Sequence, residues 1–162
     1  MTLFLEQILE ERKRFQYKIE HLSIETLAGI YPFYELNHKW LPSQQSKFIE
    51  WIFLGLPVNP IYIVSRGGQL DVGYCAETID GAKRISALKA FVCEDLVLSG
   101  LYRLKCLNGV SLKDLPEEEQ ENFKSNGIQV VVFKNGTTGD DIDYLSANHE
   151  SINNSYWDKY CA

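Results

Sequence analysis

The run Gly55-Leu56-Pro57-Val58-Asn59-Pro60 constrains this chain more than any other short segment of it. A proline interrupts a helix because it has no N–H to donate and its ring meets the preceding turn. The residue before it is also pushed to extended geometry. Two prolines three residues apart therefore forbid a helix across 57–60, and Gly55 supplies a stop just ahead of them. Upstream, Phe48, Ile49, Ile52 and Phe53 recur at the spacing of one helix face, in a helix that Ser43 opens, with Ser46 and Lys47 on its wet side. Downstream, Ile61-Tyr62-Ile63-Val64 is the β-branched, aromatic composition of a strand. Helix, enforced break and strand in succession predict a mixed α/β fold.

A Gly67-Gly68 turn and a second strand over 72–79 come next. That strand ends at Ile79, Asp80-Gly81 turns the chain, and 82–93 reads as a helix with Ile85, Leu88 and Val92 on one face. The remaining pattern predicts an amphipathic helix over 3–14, a short helix over 23–29 and an irregular stretch from Tyr31 to Trp40. A strand over 101–107 then leads to an Asn108-Gly109 turn, a charged helix over 112–123 and a central strand over 129–133. A loop over 136–139, a helix beginning at 140–145 and an Asn-rich tail with Tyr156-Trp157 complete the chain. No linker or repeat divides the chain. The expectation is a single α/β (α+β) domain over 1–162, a small mixed sheet flanked by helices.

Charge narrows the function classes. Sixteen Lys and Arg against 22 Asp and Glu leave a net charge of −6, which disfavours a DNA-binding or nuclease module that must neutralise phosphates. The apolar segment Phe4–Leu9 runs into Glu10-Glu11-Arg12-Lys13-Arg14, the reverse of a secretory signal, and the apolar runs 61–64 and 129–133 are too short to cross a bilayer. A cytoplasmic protein that does not engage membranes is expected. Cys75, Cys93, Cys106 and Cys161 have no paired spacing and read as free thiols, Cys75 being the best placed for redox work. His21, His38 and His149 lack ligand spacing. Asp140-Asp141-x-Asp143 suits a divalent cation or, more simply, a helix start. Trp40 and Trp51 read as core.

The candidate site is the turn Asp80-Gly81-Ala82-Lys83-Arg84. A strand that delivers the chain through glycine to a helix start presents unpaired backbone N–H groups and the positive end of a dipole, which favour an anion. Gly81 lets a phosphate approach the backbone. Lys83 and Arg84 are cations in a first turn where the dipole disfavours them, which a bound anion would explain. Arg84 would grip phosphate oxygens as a fork and Lys83 would act as a point charge. Asp80 would hold a metal ion, orient a water or bond a ribose hydroxyl. The bland reading is that Asp80 caps the helix and both cations are solvated.

Two blocks carry a resemblance. Trp40-x-x-x-Gln44-Gln45-Ser46-Lys47-Phe48-Ile49-Glu50-x-Ile52-x-Leu54-Gly55-Leu56-Pro57-Val58-x-Pro60-Ile61-Tyr62 is followed by Ile79-Asp80-Gly81-Ala82-Lys83-Arg84-Ile85-Ser86-Ala87-Leu88. In that order they resemble the N-terminal domain of GmrSD-type, modification-dependent restriction enzymes, over about 22–153. The second block corresponds to that family's Asp-Gly-Gln-Gln-Arg motif. The resemblance implies a ParB/sulfiredoxin-like fold and a nucleoside triphosphate, ATP or GTP with Mg2+, held at Asp80, Gly81, Ala82, Lys83 and Arg84. It also implies metal-dependent hydrolysis using Asp80, Lys83 and Arg84, coupled to DNA processing or to phage–host restriction and defence. It places Asn148-His149-Glu150 and Asn153-Asn154 near the same site. Ala82 and Lys83 replace the two motif glutamines, Glu35-Leu36 stand where the family has Gln-Arg, and no nuclease domain follows in this sequence. These departures favour binding over hydrolysis and keep open a non-catalytic alternative, an interaction or regulatory protein with a protein partner.

Overall fold

The structure is a computed structural model that describes residues 2–32, 40–66, 75–134 and 137–152. The mixed α/β class is as expected from the sequence. Helix α1 (Thr2–Arg14) leads into strand β1 (Tyr17–Ser23), then α2 (Ile24–Ala28), β2 (Tyr31–Pro32), α3 (Pro42–Phe53), β3 (Ile61–Ser65), β4 (Cys75–Asp80), α4 (Ala82–Cys93), α5 (Glu117–Ser125), β5 (Gly127–Phe133) and α6 (Gly139–Ile152). The five strands form one sheet in the order β1-β5-β3-β4-β2. β1 runs antiparallel to β5, β5 parallel to β3, β3 antiparallel to β4, and the two-residue β2 parallel to β4. No helix among the described residues is long and apolar enough to cross a membrane.

Strand alternation divides the core between the two sheet faces. Ile61, Ile63, Ala76, Ile128, Val130 and Val132 pack with the apolar residues of α2, α3, α4 and α5 in the larger cluster. Val64, Ile79, Val131 and Phe133 pack with Ile142 of α6 and Phe15 in the smaller one. Phe53, Phe91 and Phe123 tie three helices together, with ring centroids 4.8 to 6.0 Å apart. The glycine stop is built as expected. Gly55 takes φ +67, its N–H donates to Ile52 O at 2.9 Å, and the Leu56 N–H donates to Trp51 O at 3.2 Å. These two bonds are the Schellman closure of a helix end.

Several expectations are corrected. Ser46 is not on the wet side of α3: it is fully buried, donates to Pro42 O at 2.7 Å and accepts the Ser99 amide at 3.0 Å. Segment 101–107 is not a strand but a loop ending in a 3-10 turn at Lys105–Leu107. Its backbone is held by the buried Glu50 carboxylate, whose Oε1 accepts the amides of Arg103 at 2.7 Å and Leu104 at 2.6 Å. The charged helix expected over 112–123 is a 3-10 turn at Leu112–Asp114, then Pro116, then α5. Strand β1 was not foreseen, and it places β5 second in the sheet, between β1 and β3. Trp40 is buried against Phe48, as expected of a core residue. The Gly67-Gly68 turn, residues 72–74, most of the 31–40 stretch and the Asn-rich tail lie outside the described residues.

Candidate functional site

β3 begins where β4 ends, and α4 starts from the same place. Tyr62 pairs with Asp80 and Ile63 with Thr78, so Ile79 is the extra residue of a bulge one step before the turn. Such a bulge bends a strand and re-aims the residues beyond it. Gly81 then takes φ +112, which a residue with a side chain rarely adopts, and serves as the N-cap of α4. A Cβ there would lie 3.0 Å from Ile61 Cγ1 and Cγ2 and 3.3 Å from Arg84 Nη2. Glycine is therefore required by backbone conformation and by close packing on β3.

Arg84 is 6% exposed, and its guanidinium is turned into the protein. Nη1 donates to Asn59 O, and Nη2 donates to Pro60 O at 3.2 Å and lies 3.5 Å from Asp80 Oδ2. It thus joins the proline turn before β3, the end of β4 and the start of α4. Those carbonyls belong to a segment that two prolines keep out of a regular ladder, which leaves them to donors from elsewhere in the chain. The Asp80 side chain is about a quarter exposed, Ala82 and Lys83 are half-buried, and Gly81 is buried.

No side chain caps α4, and its first turn holds no acidic residue. The first intrahelical bond runs from the Ile85 N–H to Gly81 O at 2.9 Å. The N–H groups of Ala82, Lys83 and Arg84 precede that bond, at the positive end of the helix dipole. The turn thus brings Asp80, Gly81, Ala82 and Lys83 together around a helix start, with Arg84 behind them as a strut. Thr78, two residues before Asp80 on β4, has a buried hydroxyl oxygen with no hydrogen-bond partner among the described residues. Sequence reasoning passed over it, because a threonine in a strand carries no signal of its own.

The other candidates lie apart from this turn. Asp141 is buried, accepts from Thr138 Oγ1 at 2.8 Å and from Thr138 N at 3.3 Å, and lies 3.7 Å from Arg14 Nη1, so it closes the start of α6. Among the described residues no group of three His, Cys, Asp or Glu stands together as a metal site. Asp80 remains the one acidic residue of the turn. His21 is exposed on β1, and Cys93 and Cys106 are exposed free thiols. The side chains of Cys75, Asn148, His149 and Glu150, together with His38, Asn153, Asn154 and Cys161, lie outside the described residues. An ion pair also went unforeseen. Arg66 at the end of β3 meets Glu77 Oε2 through Nε at 2.9 Å and Nη2 at 2.6 Å, and donates from Nη1 to Thr137 O at 3.0 Å. It ties β3, β4 and the approach to α6.

Comparison with protein-family models, with curated proteins and with solved structures found no match.

Proposed function

We propose that this chain is a ParB/sulfiredoxin-like domain that holds the phosphates of a nucleoside triphosphate, ATP or GTP, at the turn Asp80–Arg84, in DNA processing or phage–host restriction. The observation that carries this reading is the start of α4: an uncapped helix N-terminus, reached through Gly81, with no acidic residue in its first turn and Lys83 within it. Oriented backbone amides and a lysine are the parts that cradle phosphate oxygens elsewhere. The amides of Ala82, Lys83 and Arg84 would take the phosphate, with Lys83 as the mobile charge. Arg84, committed to Asn59, Pro60 and Asp80, would hold the turn in shape. Mg2+ is usually bound by one or two carboxylates together with substrate phosphates, and Asp80 offers one such carboxylate.

The position of Arg84 favours binding without hydrolysis. Phosphoryl transfer needs cationic stabilisation of the transferring group and an oriented water. With its donors on protein acceptors, Arg84 leaves Lys83 as the cation of the turn directed at a ligand in this reading. The non-catalytic alternative, an interaction or regulatory protein, draws on the same observation.

The test is thermal unfolding of the protein against ATP, GTP, CTP and UTP, with and without Mg2+, repeated on Lys83→Ala. A ligand at a hundred times its Kd adds about 2.7 kcal/mol to the native state. That amounts to a rise of roughly 5–11 °C for a domain of this size. The expected result is such a rise with one nucleotide, lost in Lys83→Ala when each protein is compared with its own ligand-free melting temperature. No rise with any nucleotide at millimolar concentration would refute the reading.

A further inference from the structure

Strand β1 ends the sheet, with β5 on one side and no strand on the other among the described residues. Its pairing with β5 is unbroken from Tyr17–Phe133 to Ser23–Gly127. Just outside the two ends of β1, the Lys134 N–H donates to Gln16 O at 3.1 Å and the Ile24 N–H donates to Asn126 O at 2.9 Å. In an antiparallel ladder a residue turns its N–H and C=O to the same side, and successive residues alternate. Gln16 and Ile24 therefore fix the phase. Lys18, Glu20 and Leu22 bond to β5, and Tyr17, Ile19 and His21 turn their N–H and C=O groups to the other edge. Tyr17 and Ile19 are 58% and 54% exposed, and the Lys18 side chain 67%. Such an edge is a template for pairing with another strand.

We infer that two copies of this chain pair β1 to β1, antiparallel, about a two-fold axis at Ile19, so that their sheets join into one. The charges of the strand select that partner and that register. With the axis at Ile19, Lys18 faces the other copy's Glu20, and Glu20 faces its Lys18. The phase of the ladder makes these the non-hydrogen-bonded pairs, where Cα atoms approach to about 4.5 Å and side chains are closest. Ile19 then exchanges hydrogen bonds with the other copy's Ile19, and Tyr17 with its His21, through the N–H and C=O groups that face away from β5. The contact is isologous, as a closed dimer requires. Other registers fail on charge or on overlap. An axis at Lys18 would set Lys18 on Lys18, and one at Glu20 would set Glu20 on Glu20, and like charges directly opposite are destabilising. An axis at His21 would carry Lys18 past the end of the strand, opposite Ile24. Within one chain Lys18 Nζ and Glu20 Oε1 lie 2.6 Å apart along the strand, so both signs stand on the same face of the edge. A lysine on an edge strand ordinarily discourages pairing, whereas the two-fold axis meets it with a carboxylate.

The experiment is sedimentation equilibrium of the full chain over micromolar to hundred-micromolar concentrations, on wild type, Lys18→Glu and the swap Lys18→Glu/Glu20→Lys. The wild type should reach twice the 18.6 kDa of one chain. Lys18→Glu sets acid on acid across the axis and should stay at one chain. The swap restores opposite charges across the axis and should dimerise again. A second measurement is independent of how those variants fold. Ile19→Cys should oxidise to a reducible covalent dimer, because hydrogen-bonded antiparallel pairs stand about 5.5 Å apart at Cα, within the range of a disulfide. His21→Cys, which faces the other copy's Tyr17, should cross-link no more than the parent chain does. Hydrogen exchange at the Tyr17, Ile19 and His21 amides should slow as concentration rises. A wild type that stays monomeric throughout would overturn the inference, and if those amides were protected in that monomer the edge would belong to another segment of the chain. A dimer that Lys18→Glu leaves intact, or that the swap fails to restore, would overturn it too. So would His21→Cys cross-linking as readily as Ile19→Cys.

Discussion

Replacing Arg84 by Met keeps most of the stem volume and removes the guanidinium, so it isolates the contacts that hold the turn. Two carbonyls, on Asn59 and Pro60, lose a charged donor, and Asp80 loses its partner at 3.5 Å. A hydrogen bond to a charged group is worth about 1.5–3 kcal/mol net when its loss leaves a buried group unmet. Asn59 is exposed and Pro60 half-buried, so water can replace part of each, which puts both bonds at the low end. Asp80 is about a quarter exposed, and its ion pair adds less than about 1 kcal/mol after screening. Removing a guanidinium that burial had desolvated returns some of the loss. The net cost is about 2–3 kcal/mol, which at about 2–4 °C per kcal/mol lowers the melting temperature by roughly 4–12 °C.

The assay is thermal unfolding without ligand, with urea unfolding beside it to show that the midpoint moves while the slope stays constant. Lys83→Met is the matched control. It is half-buried on the same turn, and replacing a cation in a first helical turn removes an unfavourable dipole term, so it should cost less than Arg84→Met. If Arg84→Met melts within about 2 °C of wild type, or if Lys83→Met costs as much, Arg84 is not a strut and the geometry argued for it is wrong.

Other contacts carry two more expected outcomes. Glu50→Ala should destabilise by about 2–4 kcal/mol, because the amides of Arg103 and Leu104 lose their acceptor at a 7% exposed site. Hydrogen exchange at those two amides should accelerate, and Glu50→Gln, which keeps an oxygen, should be milder. At the 3-10 turn, the Ser111 hydroxyl and amide donate to Asp114 at 2.6 and 2.9 Å and hold its carboxyl below the ordinary 3.8. A depressed carboxyl contributes stability that is fully present above its unfolded value and is lost as pH falls through its folded value. Asp114→Asn should therefore destabilise at neutral pH and flatten the acid limb of stability against pH, read by urea unfolding across roughly pH 2 to 5. An unchanged acid limb would refute the assignment.

The features legible in the sequence and those hidden from it divide by the range of the contacts. α3, β3 and α4 were legible because Gly55, Pro57, Pro60 and Gly81 punctuate them locally. Segment 101–107 looked like a strand because Tyr102, Leu104 and Cys106 alternate with Arg103 and Lys105, but the amides of Arg103 and Leu104 are met by Glu50, a carboxylate some fifty residues earlier. Ser46 looked like the polar side of a helix, and the amide of Ser99 is what buries it. β1 escaped notice although Tyr17, Lys18, Ile19 and Glu20 alternate, because its partner β5 lies more than a hundred residues further on. In each case the missing information was a partner distant in sequence. The turn at the candidate site was legible as strand, glycine and helix, whereas the direction of Arg84 was not.

That direction shifts the weight of the functional argument from one cation to the other. From sequence, two cations in the first turn of α4 were a sign of an anion nearby. The fold accounts for one of them, since the prolines that break the chain at 57–60 leave carbonyls in need of a donor, and Arg84 reaches back to supply it. Gly81 obeys the same geometry, because a Cβ there would crowd both Ile61 and the Arg84 guanidinium. The glycine after Asp80 and the arginine one turn beyond it can thus be required by the architecture of the turn, with or without a ligand. The helix start they frame, with Lys83 in its first turn, is what a phosphate would use. The phosphate reading rests on that start, and a ligand-induced rise in melting temperature that survives Lys83→Ala would leave it without its cation.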